Sequence, residues 1–112
     1  KIKNLPKDTE IYCGHEYTLK NSEFCLKYDE NNSKLKNKIT EIKNKLNSKL
    51  PTLPTSIKDE LACNIFLRAE TVEKFSKLRE LKDNFWLNQL DYILSEIILL
   101  IKLKGKHVIC YN

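Results

Sequence analysis

The sequence predicts a mainly α fold, a small helical domain preceded by one short strand. Three observations carry this reading. Alternating apolar and polar character is confined to Thr9–Cys13, two later stretches repeat apolar residues at three- and four-residue intervals, and Pro51 and Pro54 punctuate the chain between them. With 112 residues and 13.2 kDa the chain has the size of one small domain. It begins at Lys1 and contains no Met, which is expected of a piece of a longer protein.

The elements follow in order. Ile11 and Tyr12 favour a strand at Thr9–Cys13, and Gly14 permits a sharp exit that places His15 at the strand end. Thr18 is read as the N-cap of a helix running to about Tyr28, followed by an Asp29-Glu30-Asn31-Asn32 loop. From Ser33, the residues Leu35, Ile39, Ile42, Leu46 and Leu50 lie on one helical stripe, with lysines over much of the remaining surface. Pro51 and Pro54 stop that helix and force an extended crossing, because each lacks a backbone donor and biases its predecessor away from helix. Ser56 with Asp59 forms an acidic capping box for a helix entering Leu61, Ala62 and Phe66. A further helix is predicted over Val72–Phe85, with Val72, Phe75, Leu78 and Phe85 near one face. On it, Arg79 and Lys82 stand three residues apart and make one two-pronged cationic site. Beyond Trp86, a separable tail carries Leu90, Ile93, Leu94, Ile97, Ile98 and Ile101 at helical spacing and ends at Gly105.

Charge and cysteine usage exclude several functions. The net charge is +5, but only Arg68 and Arg79 among the 20 basic residues are arginines, whereas bidentate phosphate recognition favours Arg. No nucleic-acid partner is expected. Cys13, Cys25, Cys63 and Cys110 form no C-x-x-C pair, so zinc-knuckle and thioredoxin-like motifs are absent and reduced thiols in a cytosol-like compartment are expected. The longest apolar run, Ile97–Ile101, is far short of a membrane span.

His15 and His107 are the two histidines; His107 lies in the basic tail and reads as a surface residue. The surroundings of His15 are more informative. Tyr12-Cys13-Gly14-His15-Glu16-Tyr17-Thr18 resembles a signature of glyoxalase II, the hydroxyacylglutathione hydrolase family of the metallo-β-lactamase superfamily. Three further blocks resemble that family in the same order: Pro51-Thr52-Leu53-Pro54-Thr55, Asn64-Ile65-Phe66-Leu67-Arg68, and Leu78 to Phe85. Ile65 stands where the family usually has Pro, and no counterpart is identified after Trp86.

The resemblance implies a C-terminal fragment in which residues 1–17 end the metallo-β-lactamase-like αββα sandwich with its last strand. Residues 18–86 would be the helical glutathione-recognition domain, and 87–112 a divergent amphipathic tail. His15 is similar to the late metal-binding His of a binuclear centre, for which zinc is the expected metal and iron or manganese the alternatives. Tyr17 resembles the tyrosine that bonds glutathione, and Arg79 and Lys82 resemble the cationic pair that holds its glycine carboxylate. The implied reaction is hydrolysis of S-D-lactoylglutathione to D-lactate and glutathione by metal-bound hydroxide. The T-H-x-H-x-D-H motif and the other metal ligands are not in this chain, so it is expected to be inactive without the missing N-terminal domain. The implied parent enzyme is monomeric and cytoplasmic, or of the mitochondrial matrix in a eukaryote. Separated from its sandwich, the chain is expected to expose Ile11, Leu35 and Leu78. Three rivals remain: a non-catalytic helical interaction module, a different thioesterase of the same superfamily that would not need Arg79 and Lys82, and a metal site built from Cys13, His15 and a distant Cys.

Overall fold

In the computed structural model, which describes residues 1–103, the order is a 3₁₀ turn at Ile2–Asn4, β1 (Glu10–Ile11), α1 (Thr18–Tyr28), α2 (Ser33–Asn47), β2 (Thr55–Ser56), α3 (Ile57–Cys63) and α4 (Val72–Leu103). The fold is mainly α, as the periodicity predicts. Strands β1 and β2 form one antiparallel pair, Glu10 opposite Ser56 and Ile11 opposite Thr55. The pairing extends into flanking bonds from Ile57 N to Thr9 O at 3.0 Å and Lys58 N to Lys7 O at 2.9 Å. The strand expected over Thr9–Cys13 is thus real but two residues long.

Helix α2 follows its stripe closely. Leu35, Ile39 and Ile42 are buried, and Asn32 takes the N-cap, its Oδ1 accepting from Leu35 N at 3.0 Å. The same side chain donates through Nδ2 to Asp29 Oδ2 at 2.7 Å and to Ala62 O at 2.8 Å. Ala62 belongs to the last turn of α3, where carbonyls lack helical partners, so one Asn caps two helices. Helix α2 does not run on to Pro51. It ends with Lys49 at φ 56°, where Lys49 N bonds Leu46 O at 3.0 Å and Leu50 N bonds Lys45 O at 2.8 Å. That double bond pattern is a Schellman stop, built here on Lys instead of Gly. Leu50 is consequently outside the helix and 54% exposed, off the stripe assigned to it.

The capping box at Ser56 forms as expected on its first arm, Ser56 Oγ accepting from Asp59 N at 3.1 Å. Helix α3 ends at Cys63, and Asn64 Oδ1 then accepts from Phe66 N at 3.0 Å to turn the chain. Ile65 is buried in that turn, so its β-branched side chain contributes to the core.

Helices α1, α2 and α3 pack in sequence around Phe24, Cys25, Leu35, Ile39, Ile42, Ile57 and Ile65. Phe24, Leu35, Ile42 and Ile57 are essentially fully buried, and each such side chain contributes about 1.5–3 kcal/mol relative to exposure. Leu35 was expected to be uncovered without a sandwich; α2 packing on α1 and α3 buries it instead. Phe66 extends this core, stacking on Phe24 at 5.8 Å between ring centroids and meeting Phe75 edge-on at 5.5 Å.

Helix α4 starts from Thr71, whose Oγ1 accepts from Lys74 N at 3.1 Å. It continues unbroken to Leu103, so the helix expected to end at Phe85 and the tail beyond it share one backbone rod. Neither Gly nor Pro occurs between Val72 and Leu103 to interrupt it. Lys1–Phe75 forms one compact unit and the rest of α4 belongs to a second. Gly105, His107 and Cys110, to which expectations were attached, lie outside the described residues.

Candidate functional site

The turn between β1 and α1 carries the first pair of predicted site residues. His15 and Tyr17 are both exposed, and their rings stack with centroids 5.2 Å apart and planes 25° from parallel. Gly14 is not essential to this turn in the way its chemistry suggested, because a Cβ placed there would meet nothing within 4 Å.

Glu16 points elsewhere, to the proline-bounded crossing. Its Oε1 receives the Thr18 hydroxyl at 2.8 Å and the Thr52 hydroxyl in a closer contact, and its Oε2 receives Thr52 N at 3.3 Å. The two threonine oxygens lie 2.7 Å apart, closing a triangle. Thr52 is buried and polar, so this carboxylate supplies the partner its hydroxyl requires. Hydrogen bonds from Thr52 and then Thr18 hold the Glu16 carboxyl below its ordinary pKa against a small opposing effect of burial. Thr18, expected as the N-cap, is instead the first helical residue, with Tyr17 in the cap position and making no side-chain cap bond. Its hydroxyl is used by Glu16.

Beside this triangle, Thr18, Asn21, Ser22, Thr52 and Thr55 share a cavity of about 40 Å³ with Cys25, Cys63 and Glu60. The volume is enough for bound water, with hydroxyl and amide groups of the lining within the cavity to bond it. Burial, followed by the charges of Asp59 and Glu60, pushes the Cys63 thiol up, which disfavours the reactive thiolate. Among the described residues Cys13, Cys25 and Cys63 are free thiols.

The second predicted pair lies on α4. Arg79 is exposed and its guanidinium is 3.1 Å from Asp83 Oδ1, one turn on, while Lys82 is half-buried. An exposed i,i+4 pair of this kind is worth only about 0.3–0.5 kcal/mol, so an incoming carboxylate can displace Asp83 at little cost. His15 and Tyr17 are brought together in the first unit, and Arg79 and Lys82 share one helix in the second.

The chemistry of the donors limits what a metal could find here. The His15 imidazole is accessible, but among the described residues no group of three or more His, Cys, Asp or Glu is arranged to hold an ion. Among the described residues His15 could offer a metal only a single imidazole donor. No helix among the described residues is long and apolar enough to cross a membrane.

Glu16 and Asn32 were missed as organising residues in the sequence. Glu16 stands inside the quoted signature, but its partner Thr52 is 36 residues away and nothing local signals the bond.

Comparison with known proteins places these features in a family. The model described as "Hydroxyacylglutathione hydrolase C-terminus" matches residues 16–85. A protein of Pelagibacter ubique (strain HTCC1062) named hydroxyacylglutathione hydrolase is 62% identical over 85 residues, covering 76% of this chain and 36% of that protein. One of the same name from Prochlorococcus marinus (strain MIT 9301) is 45% identical over 83 residues, covering 74% and 34%. A protein of Arabidopsis thaliana named hydroxyacylglutathione hydrolase cytoplasmic is 43% identical over 74 residues, covering 66% and 29%. The chain thus spans about a third of the length of the curated relatives it matches.

Proposed function

The chain belongs to the hydroxyacylglutathione hydrolase C-terminus family, and on that premise we propose that it forms the substrate-recognition end of an enzyme cleaving S-D-lactoylglutathione to D-lactate and glutathione. The observation that carries this reading is the family match itself. It begins at residue 16, just after His15, and runs to residue 85, so it takes in Tyr17, Arg79 and Lys82.

In this reading residues 1–17 close a metallo-β-lactamase-like domain, 18–86 recognise glutathione, and 87–112 are an added tail. His15 presents one imidazole to a binuclear centre whose other ligands come from the preceding domain. Zinc is the proposed metal, since a neutral imidazole is among its preferred donors. When bound, it supplies Lewis acidity towards the thioester carbonyl and activates water. Tyr17, stacked on His15, offers its hydroxyl to the glutathione backbone. Arg79 exchanges Asp83 for the glycine carboxylate of glutathione, with Lys82 adding a second charge-assisted bond. These groups orient the substrate and hold its peptide half in place. A cytoplasmic compartment is proposed from the naming of the plant relative.

The test is a chimera in which the upstream part of the Pelagibacter relative is joined to this chain and assayed for S-D-lactoylglutathione hydrolysis. The chimera is expected to be active, His15→Ala to abolish activity, and Arg79→Ala to raise KM with little change in kcat. A substrate lacking the glycine should make Arg79→Ala silent. An inactive chimera beside an active parent would refute the proposal.

A further inference from the structure

We infer that Glu16 is a positioning residue for the His15–Tyr17 pair, acting through Thr52; this rests on the reading of His15 as a metal ligand. The segment bearing His15 is held at two points. Before it, β1 pairs with β2, and Thr9 O and Lys7 O receive Ile57 N and Lys58 N. After it, Glu16 receives the Thr52 side chain and amide. Both anchors lie on the same short stretch, 52–58, so residues 12–15 form a closed loop whose two ends are fixed to one support.

The second anchor matters more for the imidazole. Glu16 lies between His15 and Tyr17 in sequence, and those two rings stack on each other while being exposed to solvent. A solvent-facing stack has little packing to hold it, so its orientation depends on the backbone at residue 16. That backbone is set by a carboxylate that takes three hydrogen bonds, two of them from a buried threonine. Charge-assisted bonds of this kind are shorter and stronger than neutral ones. Thr18 Oγ1 bonds the same carboxylate from the first residue of α1, which also ties the start of the helix to the loop.

The experiment has a metal-free and a metal-loaded arm. In the first, carbon–proton NMR of this chain reads the His15 ring, with His107→Gln used to assign the two histidines. Ring-current displacement of the His15 signals by Tyr17 is expected in the parent chain and in Thr52→Ser, which keeps the hydroxyl. It should collapse in Glu16→Ala and Thr52→Val, with circular dichroism and urea midpoints confirming that each variant is folded. In the second arm, zinc retention by the chimera against a chelator should fall about 10–100-fold in Glu16→Ala and Thr52→Val, the usual range for groups that orient a metal ligand. The double variant should be no worse than either single one.

Unchanged ring shifts and unchanged zinc retention in Glu16→Ala and Thr52→Val would overturn the inference while leaving the proposed function in place. Full zinc retention in His15→Ala would overturn the ligand reading and the inference with it. Additive losses in the double variant would show that Glu16 and Thr52 act separately, which also refutes the mechanism proposed.

Discussion

Replacing Asn32 tests the idea that one side chain joins three elements. Its Oδ1 caps α2 through Leu35 N, while its Nδ2 bonds Asp29 at the end of α1 and the Ala62 carbonyl in α3. Asn32→Ala loses the cap and both Nδ2 bonds, and the sum is about 2–3 kcal/mol. In urea, with a slope of about 1–2 kcal/mol per molar for so small a domain, that moves the midpoint down by about 1–3 M. Asn32→Ser keeps a capping oxygen and loses the two donors, so about half of the effect should remain. The decisive variant is Asn32→Asp. Asp caps as well as Asn does, so a pure cap predicts parental stability. The bridging role predicts the opposite, because the second oxygen would face the Ala62 carbonyl and the Asp29 carboxylate, where a donor now stands. Urea unfolding followed by circular dichroism decides it. Asn32→Asp and Asn32→Ser both matching the parent would refute the bridging argument and reduce Asn32 to an ordinary cap.

Other consequences are equally measurable. The Asn32 amide, and then the Arg68 guanidinium, hold the Asp29 carboxyl below its ordinary pKa. That stabilisation is present above the unfolded pKa, about 3.9, and is lost as pH falls through the lower folded value. Asp29→Asn should therefore be less stable than the parent at neutral pH and approach it in acid; parallel pH profiles would contradict this. Phe24→Ala opens a hole beneath the Phe66 ring and should cost about 3–5 kcal/mol, read as a lowered urea midpoint. Lys49→Gly relieves a positive φ and should raise stability by up to about 1 kcal/mol, whereas Lys49→Val should lower it. Gly14→Ala should leave the melting temperature unchanged, since its Cβ enters open space.

What was legible in the sequence depended on how far each cause lay from its effect. Ser56 and Asp59 are three residues apart, and the first arm of their cap is where local chemistry puts it. The stripe of Leu35, Ile39 and Ile42 likewise needs only helical geometry to become a buried face. Leu50 failed because the stop came earlier than Pro51, at a lysine in a conformation that glycine usually signals. The end expected at Phe85 rested on a change in composition, and such a change by itself leaves the backbone hydrogen bonds of a helix intact. Glu16 and Asn32 were hidden for another reason: their partners, Thr52 and Ala62, are 36 and 30 residues away and become neighbours only once the helices pack. In the candidate site, the resemblance singled out His15, Tyr17, Arg79 and Lys82, while the hydrogen bonds of the intervening Glu16 emerged only in three dimensions.

The Schellman stop on Lys49 has a consequence at the level of the gene. Glycine codons begin with two guanines, whereas lysine and asparagine codons begin with two adenines. The described fold turns at Asn32, Lys49 and Asn64, and none of these positions uses glycine. At two of them the Asn side chain supplies hydrogen bonds that glycine could not, and at the third two backbone bonds hold a residue that prefers other conformations. A coding sequence poor in guanine and cytosine can therefore specify these reversals, and drift in base composition need not erode the architecture that carries the site.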